Sequence, residues 1–170
     1  RSSDLLGRVE QASALQESQT SLRKFADRLR KLQKVSDRLA LIHTVDELCR
    51  QAVFAAHEKL GYSRISIWFN APEPDFIQGA WGISETGELR DERQSRHRAR
   101  APNMLNVIRG ECQLDQADNV ELRDKEGRVV GKGAHAVAAL WDGKEIIGAI
   151  SADDLLAGPA FLHLLGQLAV

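Results

Sequence analysis

The chain has 170 residues, of which 43% are hydrophobic and 28% are charged, and its formal net charge is −1. This length predicts one domain plus an extension, with room for a sizeable core. The near-zero charge argues against a general nucleic-acid or membrane-surface binder. Two cysteines make no disulfide framework, which favours the cytoplasm. No apolar run approaches the roughly 20 residues of a membrane span, and no signal peptide is recognisable. Because the chain starts at Arg1 and ends on apolar residues, we expect a fragment of a longer protein.

Residues 1–42 are predicted to form one long amphipathic helix. Two interleaved series of apolar residues recur at intervals of seven, as in the seam of a coiled coil. Ser18 and Ser36 fall on this seam and weaken it. We interpret the segment as a dimeric signalling coiled coil, because so polar a long helix gains little stability alone. The alternative is a helix packed on its own domain. The candidate dimer contacts are Leu15, Leu22, Phe25, Leu29, Leu32 and Leu39.

The next segment predicts a second helix followed by strands. Thr44 and Glu47 form a capping box at the start of the helix, and Gly61 suits its end. Beyond it, alternating apolar residues and turn residues predict strands at 62–70, 75–83 and 112–114, a short helix at 104–109, a polar connection from 115 to 132, and a closing helix at 159–170.

Residues 134–158 are predicted to form a hairpin at the centre of the sheet. Asp142-Gly143 is a preferred two-residue type I′ turn. Both faces of the two arms are largely apolar, so we expect the hairpin to be covered on both sides. His135 and Asp153 lie at the far ends of the arms, where they are predicted to meet, either as a structural pair or as a titrating one.

From about Leu32 to Val170 the chain resembles a GAF domain, a small-molecule-sensing and dimerisation module of bacterial signalling proteins. The resemblance rests on three stretches, VDELCRQAVFAAHEKLGYSRISIWF, GISETGELRDERQSR and GKGAHAVAALWDGKEIIGAISADDLLAG. Where the family usually has Asp-Asn, this chain has Asp153-Asp154. The resemblance implies an α+β fold, with a central antiparallel sheet of five or six strands, helices on one face, and a pocket and loops on the other. It also implies domains at 1–42 (signalling helix) and 43–170 (GAF-like).

The family resemblance places the stretch 90–100 at the border of a ligand pocket. Its five arginines suit phosphate or carboxylate recognition, and the alternative is a solvated loop whose charges pair among themselves. Trp68, Trp81 and Trp141 all lie on predicted strands. They could form a stacking wall for a flat ligand, or they could pack in the core. The candidate ligand-binding residues are Trp68, Trp81, Arg90, Asp91, Arg93, Arg96, His97, Met104, His135 and Asp153.

Three functions follow from these patterns. The first is a ligand sensor that signals through the coiled coil to an output domain, such as a kinase or cyclase, outside this chain. The second is a ligand-free dimerisation spacer. The third is an enzyme of the methionine-sulfoxide-reductase type, which needs closely spaced cysteines, whereas Cys49 and Cys112 are far apart in sequence. Cys112 precedes Gln113 rather than a histidine, which argues against a covalent bilin. We therefore predict no catalytic or metal site, and the cofactor stays open.

Overall fold

The computed structural model describes residues 2–156, with side chains from Gly7 onwards. It divides into two compact units, and the boundary in the sequence lies between Leu41 and Ile42. The first unit is the helix α1 (Ser2–Leu39), which ends three residues before the predicted boundary at 42. Within the described part of the chain, no helix has the length and apolar character to cross a membrane.

Up to residue 156, the second unit contains two helices and one sheet of seven strands, in the strand order β3-β2-β1-β7-β6-β5, with β4 also paired to β2. Every strand pair is antiparallel. This arrangement confirms the α+β fold class, with more strands than the five or six implied. In chain order the elements are α2 (Val45–Glu58), β1 (Arg64–Asn70), β2 (Phe76–Ile83), β3 (Leu89–Asp91), β4 (Arg96–Arg98), α3 (Pro102–Ile108), β5 (Leu114–Arg123), β6 (Val129–Trp141) and β7 (Ile146–Asp153).

The two helices of this unit pack on opposite faces of the sheet. Successive side chains of a strand point to opposite faces, and β1 divides its apolar residues accordingly. Ile65 and Ile67 join a buried cluster with Val53 of α2, on what we call the α2 face. Trp68 joins a second cluster with Val107 of α3, on what we call the α3 face. Helices therefore cover part of both faces.

Local sequence signals explain where the helices begin and end. The hydroxyl of Thr44 accepts a hydrogen bond from the Glu47 amide at 3.4 Å, so the predicted cap of α2 is confirmed. The last residue of α2 is Glu58. Gly61, three residues later, has a φ of +78°, a conformation that glycine adopts without strain. Pro102 opens α3, where its missing N–H is not needed.

Two predictions about the second half of the sheet are wrong. The supposed polar connection at 115–132 is a long hairpin of β5 and β6, whose mostly half-exposed or exposed edge strand carries too few apolar residues to show a strand pattern. The turn between β6 and β7 spans Asp142–Glu145, and only Gly143 has positive φ, so it is not a two-residue type I′ turn. The stretch 84–100 contains β3 and β4. The predicted closing helix at 159–170 lies outside the described residues.

Candidate functional site

A cavity of about 390 Å³ opens on the α3 face of the sheet. Strands β1 and β7 form its base, and the segment leading into α3 and the β5–β6 turn contribute further walls. Apolar and polar side chains are mixed in its lining, as is usual for small-molecule sites. The lining residues used below are Arg64, Ser66, Trp68, Arg90, Glu92, His97, Arg98, Arg100, Met104, His135, Ser151 and Asp153.

A buried ion pair joins the two central strands at this cavity. Arg64 Nε and Nη2 donate to Asp153 Oδ2 at 2.8 and 2.5 Å, and Nη2 also donates to the carbonyl of Arg123 at 3.0 Å. The Arg64 and Asp153 side chains are only 10% and 8% exposed. Each charge neutralises the other, which is the condition for keeping either of them buried.

A short chain of hydrogen bonds holds Trp68 beside this ion pair. The indole N–H donates to Ser66 Oγ at 2.8 Å, and Ser66 and Ser151 share a hydroxyl hydrogen bond of 2.9 Å. The ring of Trp68 meets His97 edge-on, with the ring centroids 5.1 Å apart. Because the tryptophan is 8% exposed and fully paired, it acts as a fixed wall of the cavity.

His135 is oriented by the amide of Asn103. The Asn103 amide nitrogen donates to the His135 carbonyl at 3.1 Å, and its oxygen accepts from the Met104 amide at 3.0 Å. The same oxygen lies 3.1 Å from His135 Nδ1, so Nδ1 carries the proton. Burial lowers the pKa of His135, which favours the neutral imidazole. Asp153 lies directly opposite His135 in the strand register, yet it bonds to Arg64 instead.

Glu92 is the most unusual side chain of the site, because it is only 3% exposed and half of its carboxylate is unpaired. Arg90 Nε and Nη2 both donate to Oε1, at 3.2 and 2.9 Å. Oε2 is buried without a hydrogen-bond partner. The carboxylate lies over Gly82, where an added Cβ would stand 2.9 Å from each oxygen. Burial raises the pKa of Glu92.

His97 supplies a second unpartnered atom. Its Nδ1 is buried and has no hydrogen-bond partner. Burial, with a contribution from the nearby charge of Arg100, lowers the pKa of His97 and favours the neutral ring. Among the residues that the structure describes, Glu92 Oε2 and His97 Nδ1 are the two buried side-chain polar atoms left unpaired, and both residues line the cavity. Buried polar atoms are nearly always paired, so this coincidence needs an explanation.

The structure places six of the ten candidate ligand-binding residues along the cavity and four elsewhere. Trp81 packs against the α2-face cluster, and its N–H donates to Asp46 at 2.9 Å. The guanidinium of Arg93 lies 5.7 Å from the centre of the Trp81 ring. Trp141 is 57% exposed, so the three tryptophans form no common wall. The residues along the cavity are Trp68, Arg90, His97, Met104, His135 and Asp153, and those elsewhere are Trp81, Asp91, Arg93 and Arg96.

The arginines of the stretch 90–100 are largely neutralised by carboxylates. Arg90 bonds to Glu85 as well as to Glu92. The other pairs are Arg93 with Asp91, Arg96 with Glu73, and Arg98 with Asp75. This is the self-paired arrangement that the sequence left as the alternative to anion binding.

Three important site residues, Arg64, Glu92 and Asn103, were not among the sequence candidates. One signal in the sequence points to Glu92, namely the two glycines Gly79 and Gly82 within a predicted strand. A glycine inside a strand marks a close approach of another chain segment. An added Cβ at Gly79 would stand 2.8 Å from the Glu92 Cβ. The two remaining residues carry no comparable local signal.

Neither cysteine pairs nor metal ligands cluster in the part of the chain that the structure describes. Cys49 and Cys112 are both free thiols. Cys49 belongs to the α2-face cluster and Cys112 packs on the α3-face cluster, so they share no site. Desolvation raises the pKa of both thiols, which disfavours the reactive thiolate. No group of three potential metal ligands occurs among the described residues.

No protein-family model matches the sequence, and no curated protein matches it. Solved structures do match the fold. The GAF domain of A. aeolicus nlh2 in an inactive state is 15% identical, with a TM-score of 0.58 over 84% of this chain and 88% of that one. The free methionine-R-sulfoxide reductase of Neisseria meningitidis, in complex with its substrate, is 16% identical, with a TM-score of 0.61 over 86% of each chain. The GAF domain of a phosphoenolpyruvate-protein phosphotransferase from Coxiella burnetii is 11% identical, with a TM-score of 0.59 over 76% of this chain and 78% of that one.

These likenesses lie in the arrangement of the elements rather than in the sequence. They extend over 76–86% of this chain, and so cover most of the arrangement of helices and strands described above. The chain therefore has the fold of a GAF domain, which confirms the resemblance seen in its sequence at the level of the fold.

Proposed function

We propose that this chain is a small-molecule-sensing regulatory domain of a bacterial signal-transduction protein, and that it is not itself an enzyme. The observation that carries the proposal is the cavity on the α3 face, whose lining residues include Glu92 and His97, the two residues with an unpartnered buried polar atom among those described. Leaving such atoms unpaired costs about 1–3 kcal/mol each, and a bound ligand would recover that cost. A methyl-accepting chemotaxis protein is among the similar structures, which supports a signalling role.

The proposed route of the signal is a dimeric coiled coil formed by α1. The seam residues leave much of their surface uncovered in the single chain: Leu15 is 61% exposed, Leu22 64% and Leu29 45%. A second copy of the chain would cover them. Ligand binding would act on the output domain only if the ligand has different affinities for two dimer arrangements. In this proposal residues 1–42 form the signalling helix and residues 43–170 the sensory domain of a cytoplasmic protein.

The alternative is a ligand-free dimerisation spacer. A spacer needs no open pocket, and Trp81 and Met104 are the large side chains that could fill it. Met104 is indeed buried in the α3-face cluster, but Trp81 packs on the opposite face and the cavity stays open. The spacer therefore explains the packed core and leaves the unpaired Glu92 and His97 atoms unexplained. This difference favours the sensor.

The test is native mass spectrometry of the freshly purified chain, before and after denaturation. A dimer with additional non-covalent mass that is lost on denaturation is the result expected of a sensor. A dimer without added mass favours the spacer, and a monomer at micromolar concentration contradicts the coiled coil. Leu22→Asp should abolish the dimer, because it places a charge in the seam, whereas Gln16→Asp on the outer side of α1 should preserve it.

The relay has a separate test in the full-length protein. Ser36 interrupts the heptad seam, and Ser36→Leu should strengthen it enough to hold one dimer arrangement. We expect this variant to respond to ligand much less than the unmodified protein does. An unchanged response of the output activity would contradict the relay without touching ligand binding.

A further inference from the structure

The sequence directs attention to arginines and hence to anionic ligands, but most arginines of the cavity are already paired. Arg64 is held by Asp153, Arg90 by Glu85 and Glu92, and Arg98 by Asp75. An anion at these arginines would have to compete with their carboxylates. Arg100 also lines the cavity, but it is exposed to solvent and forms no ion pair among the described residues. The buried side-chain atoms left unpaired at the site are instead Glu92 Oε2 and His97 Nδ1.

The position of that oxygen is fixed by its surroundings. Both hydrogen bonds that Glu92 receives from Arg90 go to its Oε1, so this arginine orients the carboxylate and leaves Oε2 unpaired. Gly82 provides the space in which the carboxylate lies. A carboxylate held in this way accepts a hydrogen bond without first having to be ordered, which favours binding.

The neighbouring groups fit the same kind of ligand. His97 Nδ1 is the second unpaired atom, and a neutral imidazole nitrogen accepts an N–H as readily as it donates one. Trp68 presents a fixed aromatic wall, and aromatic rings attract organic cations. Of the two unpaired buried atoms, Glu92 Oε2 is the one that can only accept a hydrogen bond when the carboxyl group is ionised.

We propose that the ligand of this cavity is a small organic cation, and that its ammonium or amidinium N–H donates to Glu92 Oε2. This proposal rests on the proposed sensory function. The Arg90 guanidinium and Gly82 are positioning elements for this contact. Arg64 and Asp153, which line the same cavity, are paired with each other. A cation–carboxylate hydrogen bond in a desolvated site is among the stronger polar contacts in proteins.

The test uses four probes that share one benzene ring and differ in the attached group: benzylammonium, benzamidinium, benzyl alcohol and benzoate. Dissociation constants are measured by isothermal titration calorimetry at pH 7. We expect the two cations to bind most tightly and benzoate most weakly. Glu92→Gln should weaken benzylammonium binding about 10- to 100-fold, and should leave benzyl alcohol binding within about twofold.

Two further variants control the experiment. Glu111→Gln removes the same charge at an exposed residue outside the cavity lining and should leave all four affinities unchanged. Gly82→Ala keeps the Glu92 carboxyl group but adds a Cβ in the space that this group occupies, so it should weaken the binding of the two cations and not that of the other probes. If circular dichroism shows that Glu92→Gln does not fold, Gly82→Ala still tests the contact.

Three results would overturn this inference: benzoate binding as tightly as benzylammonium, cation binding unaffected by both cavity variants, or no probe binding at millimolar concentration. None of them by itself removes the sensory proposal. If native mass spectrometry still shows a retained ligand whose occupancy is the same in Glu92→Gln, the domain is a sensor of a different ligand class. If no mass is retained and no probe binds, both proposals fail together.

Discussion

The two faces of the sheet are built from the same strands but buried by different means. On the α2 face, Val53 packs with Ile65 and Ile67 in a cluster of apolar residues and one cysteine. On the α3 face, Trp68 and Val137 form a similar apolar cluster beside a cavity lined with buried charges. One strand therefore contributes to the core on one side and to a polar site on the other, because its side chains alternate.

The comparison shows which face has a purely structural role. Apolar burial stabilises the fold without any specific partner. Buried charges contribute little net stability, and replacing them with apolar residues is often neutral or favourable. The buried charges of the α3 face therefore add little to the stability of the sheet. Removing one member of a pair is nevertheless costly, because its partner is then buried as an unpaired charge.

The largest expected effect comes from breaking the ion pair on the α3 face. Asp153→Ala leaves Arg64 buried and without its carboxylate, which should lower the free energy of unfolding by about 3–5 kcal/mol. Urea denaturation followed by circular dichroism measures the change. Asp118→Ala removes an exposed aspartate of β5 and should change stability by less than about 0.5 kcal/mol. Equal effects of the two substitutions would contradict the buried pair.

A smaller loss is expected from a truncation on the α2 face. Val53 is 0% exposed, so Val53→Ala removes two buried carbons and leaves a small void, at a cost of about 2 kcal/mol. The same denaturation experiment measures it, and ligand binding should be unchanged once the protein is folded. Val45→Ala is the matched control, because Val45 is 64% exposed in the same helix. A strong effect of Val53→Ala on probe affinity would mean that the two faces are not independent.

The fold could be predicted largely from the sequence, because its main signals are local. The Thr44 cap, the alternation in β1 and the apolar arms of β6 and β7 each depend on nearby residues. The β5 strand was missed because it lies at the edge of the sheet, where half-exposed positions accept polar residues. No periodic pattern distinguishes such a strand from a loop.

The site was harder to predict, because its chemistry depends on contacts between distant residues. Arg64 pairs with Asp153 across 89 positions of sequence. The burial of Glu92 depends on the packing of Gly79 and Gly82 in β2. Counting the five arginines also overstated the charge that is free to bind a ligand, because the partners of Arg96 and Arg98, Glu73 and Asp75, lie 23 residues away in sequence.

The smallest expected effect, a pH dependence, sharpens the comparison between the faces. Burial raises the pKa of Glu92 above its ordinary 4.5, despite the opposing charges of Arg90, Arg64 and Lys125. The folded state therefore binds this proton more tightly than the unfolded chain, so the stability that the proton provides is complete below about pH 4.5 and is lost as the pH rises through the raised pKa. The stability of the unmodified chain relative to Glu92→Gln should therefore fall as the pH rises above about 4.5. Urea titrations at several pH values measure this difference, for which Glu111→Gln, at an exposed glutamate, should show little pH dependence. If the stability of the unmodified chain relative to Glu92→Gln instead rises with pH, the fold stabilises Glu92 as a carboxylate. The polar groups of the α3 face would then need no ligand, and the two faces would not differ in this respect.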